Sequence, residues 1–216
     1  YETAYGTIQR TTHPKTEAEK AKWEVSAHKF VDLSEPNYGV SLLNDCKYGH
    51  DIVDNIICIT LLRSPLTPDP RERPEGYVNP YADMGKHEFV YSLYPHSGDY
   101  KQAFSYQRAY ELNYPLIAEL TKPHKGKLAA EHSFIKLKPE NLVLSAVKKA
   151  EDSNAKIIRL YEIHGQHAEA KLTFDWLLKN AWETNLLEER NNRLHVVDST
   201  VTFTVKPFEI FTLEVE

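Results

Sequence analysis

The sequence predicts an all-β protein in two units, and three observations carry that reading. Apolar and polar residues alternate in short runs along most of the chain, the period-2 pattern of half-buried strands. Turn residues separate these runs at regular intervals through the second half, which indicates a β-sandwich. Between the halves, residues 121–130 are basic, carry Pro123 and Gly126 and show no apolar periodicity. The domain boundary is placed there, with residues 1–122 and 130–216 as the two units.

Taken in order, Tyr5-Gly6 before Ile8 and Arg10 reads as a glycine turn and a short strand. Residues 14–22 are polar and fit either one exposed helical turn or a loop. Trp23, Val25 and Ala27 alternate with Glu24, Ser26 and His28, and Lys29-Phe30-Val31-Asp32-Leu33 extends that strand to a turn at Ser34-Glu35-Pro36-Asn37. The next stretch, Tyr38-Gly39-Val40-Ser41-Leu42-Leu43-Asn44-Asp45-Cys46-Lys47-Tyr48-Gly49-His50-Asp51, organises the first unit. It is a strand running into a polar loop, with Gly49 available for a left-handed backbone. The chain returns through a β-branched run from Ile52 to Leu62, turned once at Asp54-Asn55, and ends at Arg63. Residues 64–82 carry Pro65, Pro68, Pro70, Pro74 and Pro80, which forbids helix and interior strand and predicts a long excursion. Phe89, Tyr91 and Leu93 mark another strand. Tyr100, Ala103, Phe104 and Gln107 fall at helical spacing, so residues 99–112 are expected to form a helix with Asp99 as its N-cap. Beyond the linker, strands are expected at 134–137, 142–147, 157–163, 171–174, 194–197, 200–205 and 209–215.

Composition narrows the function. At 216 residues with 26% charged side chains, the chain has an ordinary globular make-up and can bury a core in either unit. Its net charge of −5, without a cationic cluster among exposed aromatics, argues against nucleic acid as a partner. No apolar run approaches the roughly 20 residues of a membrane span. Cys46 and Cys58 make no disulfide framework, which favours a reducing, cytoplasmic setting, although spacing leaves open whether the two pair. The first residue is Tyr1 and the only methionine is Met84, so the chain reads as a fragment.

A retaining glycosidase needs two carboxylates about 5–5.5 Å apart, and no stretch here marks such a pair. The ten histidines show no metal spacing; His124/His132 and His164/His167 read as scattered surface or core residues. Neither a glycine-rich phosphate loop nor a nucleophile elbow is present. What remains is the polar loop. Asn44, Asp45, Lys47 and Tyr48, with Arg63 at the end of the returning stretch, offer an amide, a carboxylate, two cations and a phenol. Such a set could hold a polar ligand such as a sugar, while the chemistry by itself favours a well hydrogen-bonded hairpin tip.

The wording of these stretches resembles the C-terminal half of family 38 glycoside hydrolases, the retaining α-mannosidases, most nearly their cytosolic or vacuolar branch and its microbial relatives. The blocks that carry the resemblance are His28-Lys29-Phe30-Val31-Asp32-Leu33-Ser34-Glu35, the organising stretch, Leu61-Leu62-Arg63-Ser64-Pro65 and Pro68-Asp69-Pro70. It continues through Gly85-Lys86-His87-Glu88-Phe89, Tyr94-Pro95-His96-Ser97-Gly98-Asp99 and Glu111-Leu112-Asn113-Tyr114-Pro115-Leu116. It resumes at Arg159-Leu160-Tyr161-Glu162, Asn185-Leu186-Leu187-Glu188 and Pro207-Phe208-Glu209-Ile210. The resemblance implies part of a galactose-mutarotase-like supersandwich followed by a small terminal β-sandwich. It also implies that the catalytic carboxylates and a divalent metal, zinc or similar, lie in an N-terminal catalytic domain absent here, with no metal in this chain. The partners implied are that catalytic domain, mannose-containing glycans and a homo-oligomer. Within that frame Asn44, Asp45, Lys47, Tyr48 and Arg63 are expected to line one wall of the sugar cleft. The competing readings are a free-standing carbohydrate-binding sandwich and a purely structural or oligomerisation domain.

Overall fold

The computed structural model describes residues 1–66 and 81–216. Most of the proline-rich excursion, including Pro68-Asp69-Pro70, lies outside the described residues. The chain divides into two compact units, Tyr1–Thr3 with Ile8–Ile117 and Ala4–Thr7 with Ala118–Glu216. Of two short opening strands, β1 (Glu2–Thr3) therefore belongs to the first unit and β2 (Gly6–Thr7) to the second. Among the described residues no helix is long and apolar enough to cross a membrane.

The first unit continues with a four-residue helix α1 (Glu17–Lys20), closed at its start by a capping box between Thr16 and Glu19. Two three-stranded sheets follow. One is β3 (Val25–Ser26), β6 (Gly49–Val53) and β7 (Ile56–Ile59), and the other is β4 (Phe30–Glu35), β5 (Tyr38–Asn44) and β8 (Tyr91–His96). Ala27, Val31, Leu42 and Ile52 form the core of this unit, with Leu33, Ile57 and Ile59 packed on them. The helix α2 (Ser105–Asn113) packs against β5 and β4, burying Ser105, Tyr106 and Ala109.

Four expectations for this unit need correction. The strand foreseen over 23–33 is two strands in different sheets, because the chain crosses between them at Ala27–Lys29. There the Ala27 amide donates to Tyr48 O and the His28 amide to Glu2 O, and Trp23 is left 84% exposed. The organising stretch is likewise a crossover and not a hairpin, since β5 and β6 pair with different partners. Gly49 opens β6 with an ordinary and not a left-handed backbone, and an added Cβ there would fall 2.3 Å from Oε1 of the flexible, exposed Glu24 side chain. Finally, Asp99 does not cap α2. Its carboxylate accepts from the amides of Lys101 and Gln102 in a separate turn, and the left-handed Phe104 (φ 52°) resets the backbone before the helix starts at Ser105.

The second unit is a two-sheet sandwich. The strands β9 (Ile135–Lys138), β10 (Leu142–Lys149), β11 (Lys156–Glu162), β12 (Ala168–Phe174), β13 (Ala181–Thr184), β14 (Arg190–Leu194), β15 (Val196–Val197), β16 (Thr200–Val205) and β17 (Ile210–Val215) form it. They pair antiparallel in the orders β10-β11-β17-β13-β14 and β15-β16-β12-β9. Strict alternation in β12 and β16 turns Leu172, Phe174, Val201 and Phe203 inward to meet Leu160, Phe211 and Leu213. Phe203 and Phe211 stack across the interior with centroids 4.3 Å apart. Each such buried side chain stabilises the fold by about 1.5–3 kcal/mol relative to exposure.

Candidate functional site

The crossover between β5 and β6 carries four of the five candidate residues, and the structure divides their work. Asn44 is 1% exposed and spent internally. Its side chain donates to His28 O (2.8 Å) and accepts from the Lys47 amide (2.7 Å), and its own carbonyl accepts from Asn113 Nδ2 (3.0 Å). Asp45 clamps the incoming β8 segment, accepting from the Val90 amide at 3.0 Å while its own amide donates to Val90 O. The Cys46 thiol bonded to its carboxylate, aided by that Val90 amide, holds Asp45 below the usual carboxylate range, and Asp45 in turn pushes the Cys46 thiol up. Asp45 therefore spends its carboxylate on Val90 and Cys46, and Arg63 lies in the exposed coil after β7. Lys47 rests its ammonium over the Phe89 ring, 4.9 Å from the centroid. Tyr48 is 53% exposed, meets the His28 ring edge-on, and presents its remaining face outward. Cys46 and Cys58 are free and exposed, which settles the pairing question.

A polar network that sequence reading missed lies beneath this crossover. Asp32 Oδ2 accepts from Ser41 Oγ and from His96 Nε2, each at 2.7 Å, and Ser41 Oγ meets Ser105 Oγ at 2.7 Å. The serine, histidine and aspartate do not form a nucleophilic triad. In a triad the carboxylate orients one ring nitrogen and the serine uses the other. Here both meet at Nε2, while His96 Nδ1 has no hydrogen-bond partner, and the side chains of His96 and Asp32 are only 3% and 5% exposed. The network instead ties β4, β5, β8 and the first residue of α2 together. Gly39 makes room for it, since a Cβ there would fall 2.4 Å from His96 Cε1. The signal in the sequence was the inward parity of Asp32 and Ser41, cross-strand partners on β4 and β5.

In the second unit Glu162 is fully buried at the end of β11 and takes five hydrogen bonds. Oε1 accepts from Asn141 Nδ2 (2.9 Å) and the His164 amide (2.8 Å). Oε2 accepts from the amides of Gly165 (2.7 Å), Gln166 (3.0 Å) and Phe208 (3.1 Å). Burial pushes this carboxyl up, but the donated bonds, that of Phe208 foremost, outweigh it and leave the group below the ordinary glutamate range. Phe208 adopts φ 56° and lies so close to Gly165 that a Cβ there would come within 2.7 Å of its ring. Glu162 and Phe208 come from two separate blocks that carry the family resemblance, Arg159-Leu160-Tyr161-Glu162 and Pro207-Phe208-Glu209-Ile210, and their shared role is architectural.

Among the described residues no three of His, Cys, Asp or Glu stand close enough together to hold one metal ion. Comparison with known proteins supplies the wider context. Residues 1–71 match the description "Glycosyl hydrolases family 38 C-terminal domain", and residues 141–213 match "Glycosyl hydrolases family 38 C-terminal beta sandwich domain". Human alpha-mannosidase 2C1 is 38% identical over 218 residues, covering 99% of this chain and 20% of that protein. Alpha-mannosidase G of Dictyostelium discoideum is 36% identical over 216 residues, covering 98% and 19%. The crystal structure of an alpha-mannosidase from Enterococcus faecalis V583 superposes on all of this chain and 24% of its own, with a TM-score of 0.76 at 24% identity, which shows the fold. The chain thus spans about a fifth of the curated relatives it matches. With both matches on an all-β fold, the chain belongs to the C-terminal, β-sandwich part of glycoside hydrolase family 38.

Proposed function

We propose that this chain is the β-rich C-terminal part of an α-mannosidase that removes terminal α-mannosyl residues from glycans with retention. The observation that carries the reading is the two-domain family match combined with relatives that bear the α-mannosidase name across almost the whole chain. The catalytic carboxylates and a divalent metal such as zinc belong, on this reading, to the catalytic segment of the same polypeptide. The free thiols Cys46 and Cys58 fit a cytoplasmic enzyme.

In that enzyme the crossover at residues 44–48 forms one wall of the sugar cleft. Asn44 and Asp45 set its shape. Tyr48, half-exposed and rigidly backed by His28, stacks on a pyranose face, and Lys47 and Arg63 offer positive charge to hydroxyl oxygens. Kinetics of the full-length enzyme on 4-nitrophenyl α-mannoside tests this. Tyr48→Ala is expected to lower kcat/KM about tenfold, roughly 1.4 kcal/mol of transition-state stabilisation, with Tm unchanged because the ring is already half in solvent. Unchanged kcat/KM would remove Tyr48 from the cleft.

A further inference from the structure

At one corner of the sandwich, cations gather without a carboxylate among them. β14 and β15 are edge strands of the two sheets, and the chain passes from one sheet to the other at His195. A cavity of about 350 Å³ opens there, lined by Lys179, Arg193, Leu194, His195 and Val196. The turn that brings Lys179 to it is pinned to Glu216. The Lys179 amide donates to Glu216 O (2.7 Å), and the Glu216 amide donates to Asn180 O (3.0 Å). Arg193 is aimed by Asn180, whose side-chain oxygen accepts from Arg193 Nη2 at 2.7 Å. That bond uses one of the five guanidinium N–H groups and leaves the rest of the fork to donate. Among the described residues, neither the Lys179 ammonium nor the His195 ring has a hydrogen-bond or ion-pair partner. The carboxylates nearby are committed elsewhere: Arg190 clasps Glu214 and Glu216, and Glu183 accepts from Asn192 Nδ2 at 3.0 Å. Other cations of this unit rest on a carboxylate or a ring, as Lys148 does on Glu188 and Lys156 does over Trp176. Like charges drawn together repel, and in a chain of net charge −5 carboxylates are in surplus. An unmatched cationic pocket in such a chain is a place kept for an anion.

We infer that this corner binds a phosphate group, either free or carried as a monoester by a small molecule. Its donors suit a tetrahedral dianion. The arginine fork takes two oxygens side by side, the lysine supplies a compact point charge, and the imidazole adds a ring N–H. A carboxylate is flat and has only two oxygens, so the arginine alone would satisfy it. The Asn180 bond fixes the fork before the ligand arrives, which lowers the ordering cost of binding. Concavity decides for a small ligand, because the cavity falls at the lower end of small-molecule sites, roughly 300–1,000 Å³. The half-buried Leu194 and Val196 give the carbon skeleton of a monoester an apolar wall. The site lies in the second unit and uses none of the crossover residues 44–48, so it stands apart from the α-mannosidase reading.

Calorimetric titration of the full-length protein in low-salt buffer tests this, with inorganic phosphate and, separately, glucose 6-phosphate as probes. Saturable binding is expected. Arg193→Ala should weaken it at least about tenfold, through loss of the bidentate donor. Lys179→Gln should weaken it about threefold or more, and Lys171→Gln, an exposed lysine on β12 of the same unit, should leave it unchanged. Tighter binding of glucose 6-phosphate than of inorganic phosphate, lost in Arg193→Ala, assigns a monoester; equal or weaker binding assigns the free anion. Should Arg193→Ala fold poorly, Lys179→Gln carries the test, since its ammonium bonds to no other described residue. Absence of saturable binding would overturn the inference. So would binding that survives Lys179→Gln at full strength, an equal loss in Lys171→Gln, or acetate competing as well as phosphate. The readout is binding and not turnover, so failure of the α-mannosidase reading leaves the result intact.

Discussion

Replacing Glu162 by glutamine keeps size and shape and removes only the charge, so its cost can be worked from the five bonds. A glutamine oxygen turned toward Gly165, Gln166 and Phe208 retains those three amides. Each loses its charge assistance, about 1 kcal/mol apiece. The new NH₂ group then faces Asn141 Nδ2 and the His164 amide. Asn141 can flip to present its oxygen, which leaves the His164 amide buried without an acceptor at about 1–3 kcal/mol. The expected loss is about 4–6 kcal/mol at pH 7. With a urea slope of about 2 kcal/mol/M, the midpoint falls by roughly 2–3 M. Trp176 and Trp182 lie in the same unit and report the transition by fluorescence. The pH dependence has a definite sign. The native carboxyl sits below its ordinary value, so its stabilisation is complete above about pH 4.3 and drains away as pH falls through the native pKa. Glutamine does not titrate, so wild type and variant should differ equally at pH 7 and pH 5 and converge in stronger acid. A midpoint shift below about 0.5 M at pH 7, or a gap that persists undiminished in acid, would refute the charge-anchor account.

Gly39→Ala should destabilise the first unit by about 1–3 kcal/mol, since the new methyl meets both His96 Cε1 and Ser34 Cβ (2.6 Å) and the imidazole is held in place by Asp32. A near-ultraviolet circular dichroism melt checks it, and an unchanged midpoint would show that His96 is free to swing aside. The 216-residue chain by itself is expected to release no 4-nitrophenol from 4-nitrophenyl α-mannoside, with or without added zinc. Metal-dependent turnover by the pure chain would bring the chemistry back into these two units.

The sandwich was legible where burial and sequence parity coincide, as in β12 and β16, whose inward residues are apolar at every second place. It was illegible at β14, whose Arg190-Asn191-Asn192-Arg193 has no apolar face. That strand is held by pairing to β13, by Arg190 clasping Glu214 with bonds of 2.8 and 3.0 Å, and by its guanidinium lying 3.7 Å from the Trp182 ring centre. Such a strand exists only in the presence of its neighbour. In the first unit, parity located the strands but could not say which sheet each would join, so a crossover read as a hairpin. The polar residues of that crossover were recognisable as a set. Their division into Asn44 and Asp45, which face the protein, and Tyr48, which faces outward, depends on where Val90, His28 and Asn113 arrive from distant sequence.

The position of β17 has a consequence for biosynthesis. This strand lies between β11 and β13, with Lys156 and Ala181 both meeting Val215, and it contributes Phe211, Leu213 and Val215 to the interior. Until residues 210–215 leave the ribosome, β11 and β13 face an empty lane with unpaired edges and an unroofed apolar surface. At about 5–20 residues per second, β11 waits several seconds for its partner. During that wait the nascent chain is a template for pairing with its neighbours on the same message. Closure of the sheet is therefore a late, all-or-none event. A premature stop anywhere upstream of Ile210 should direct the product to chaperones and proteolysis, even though most of the sandwich has already been made.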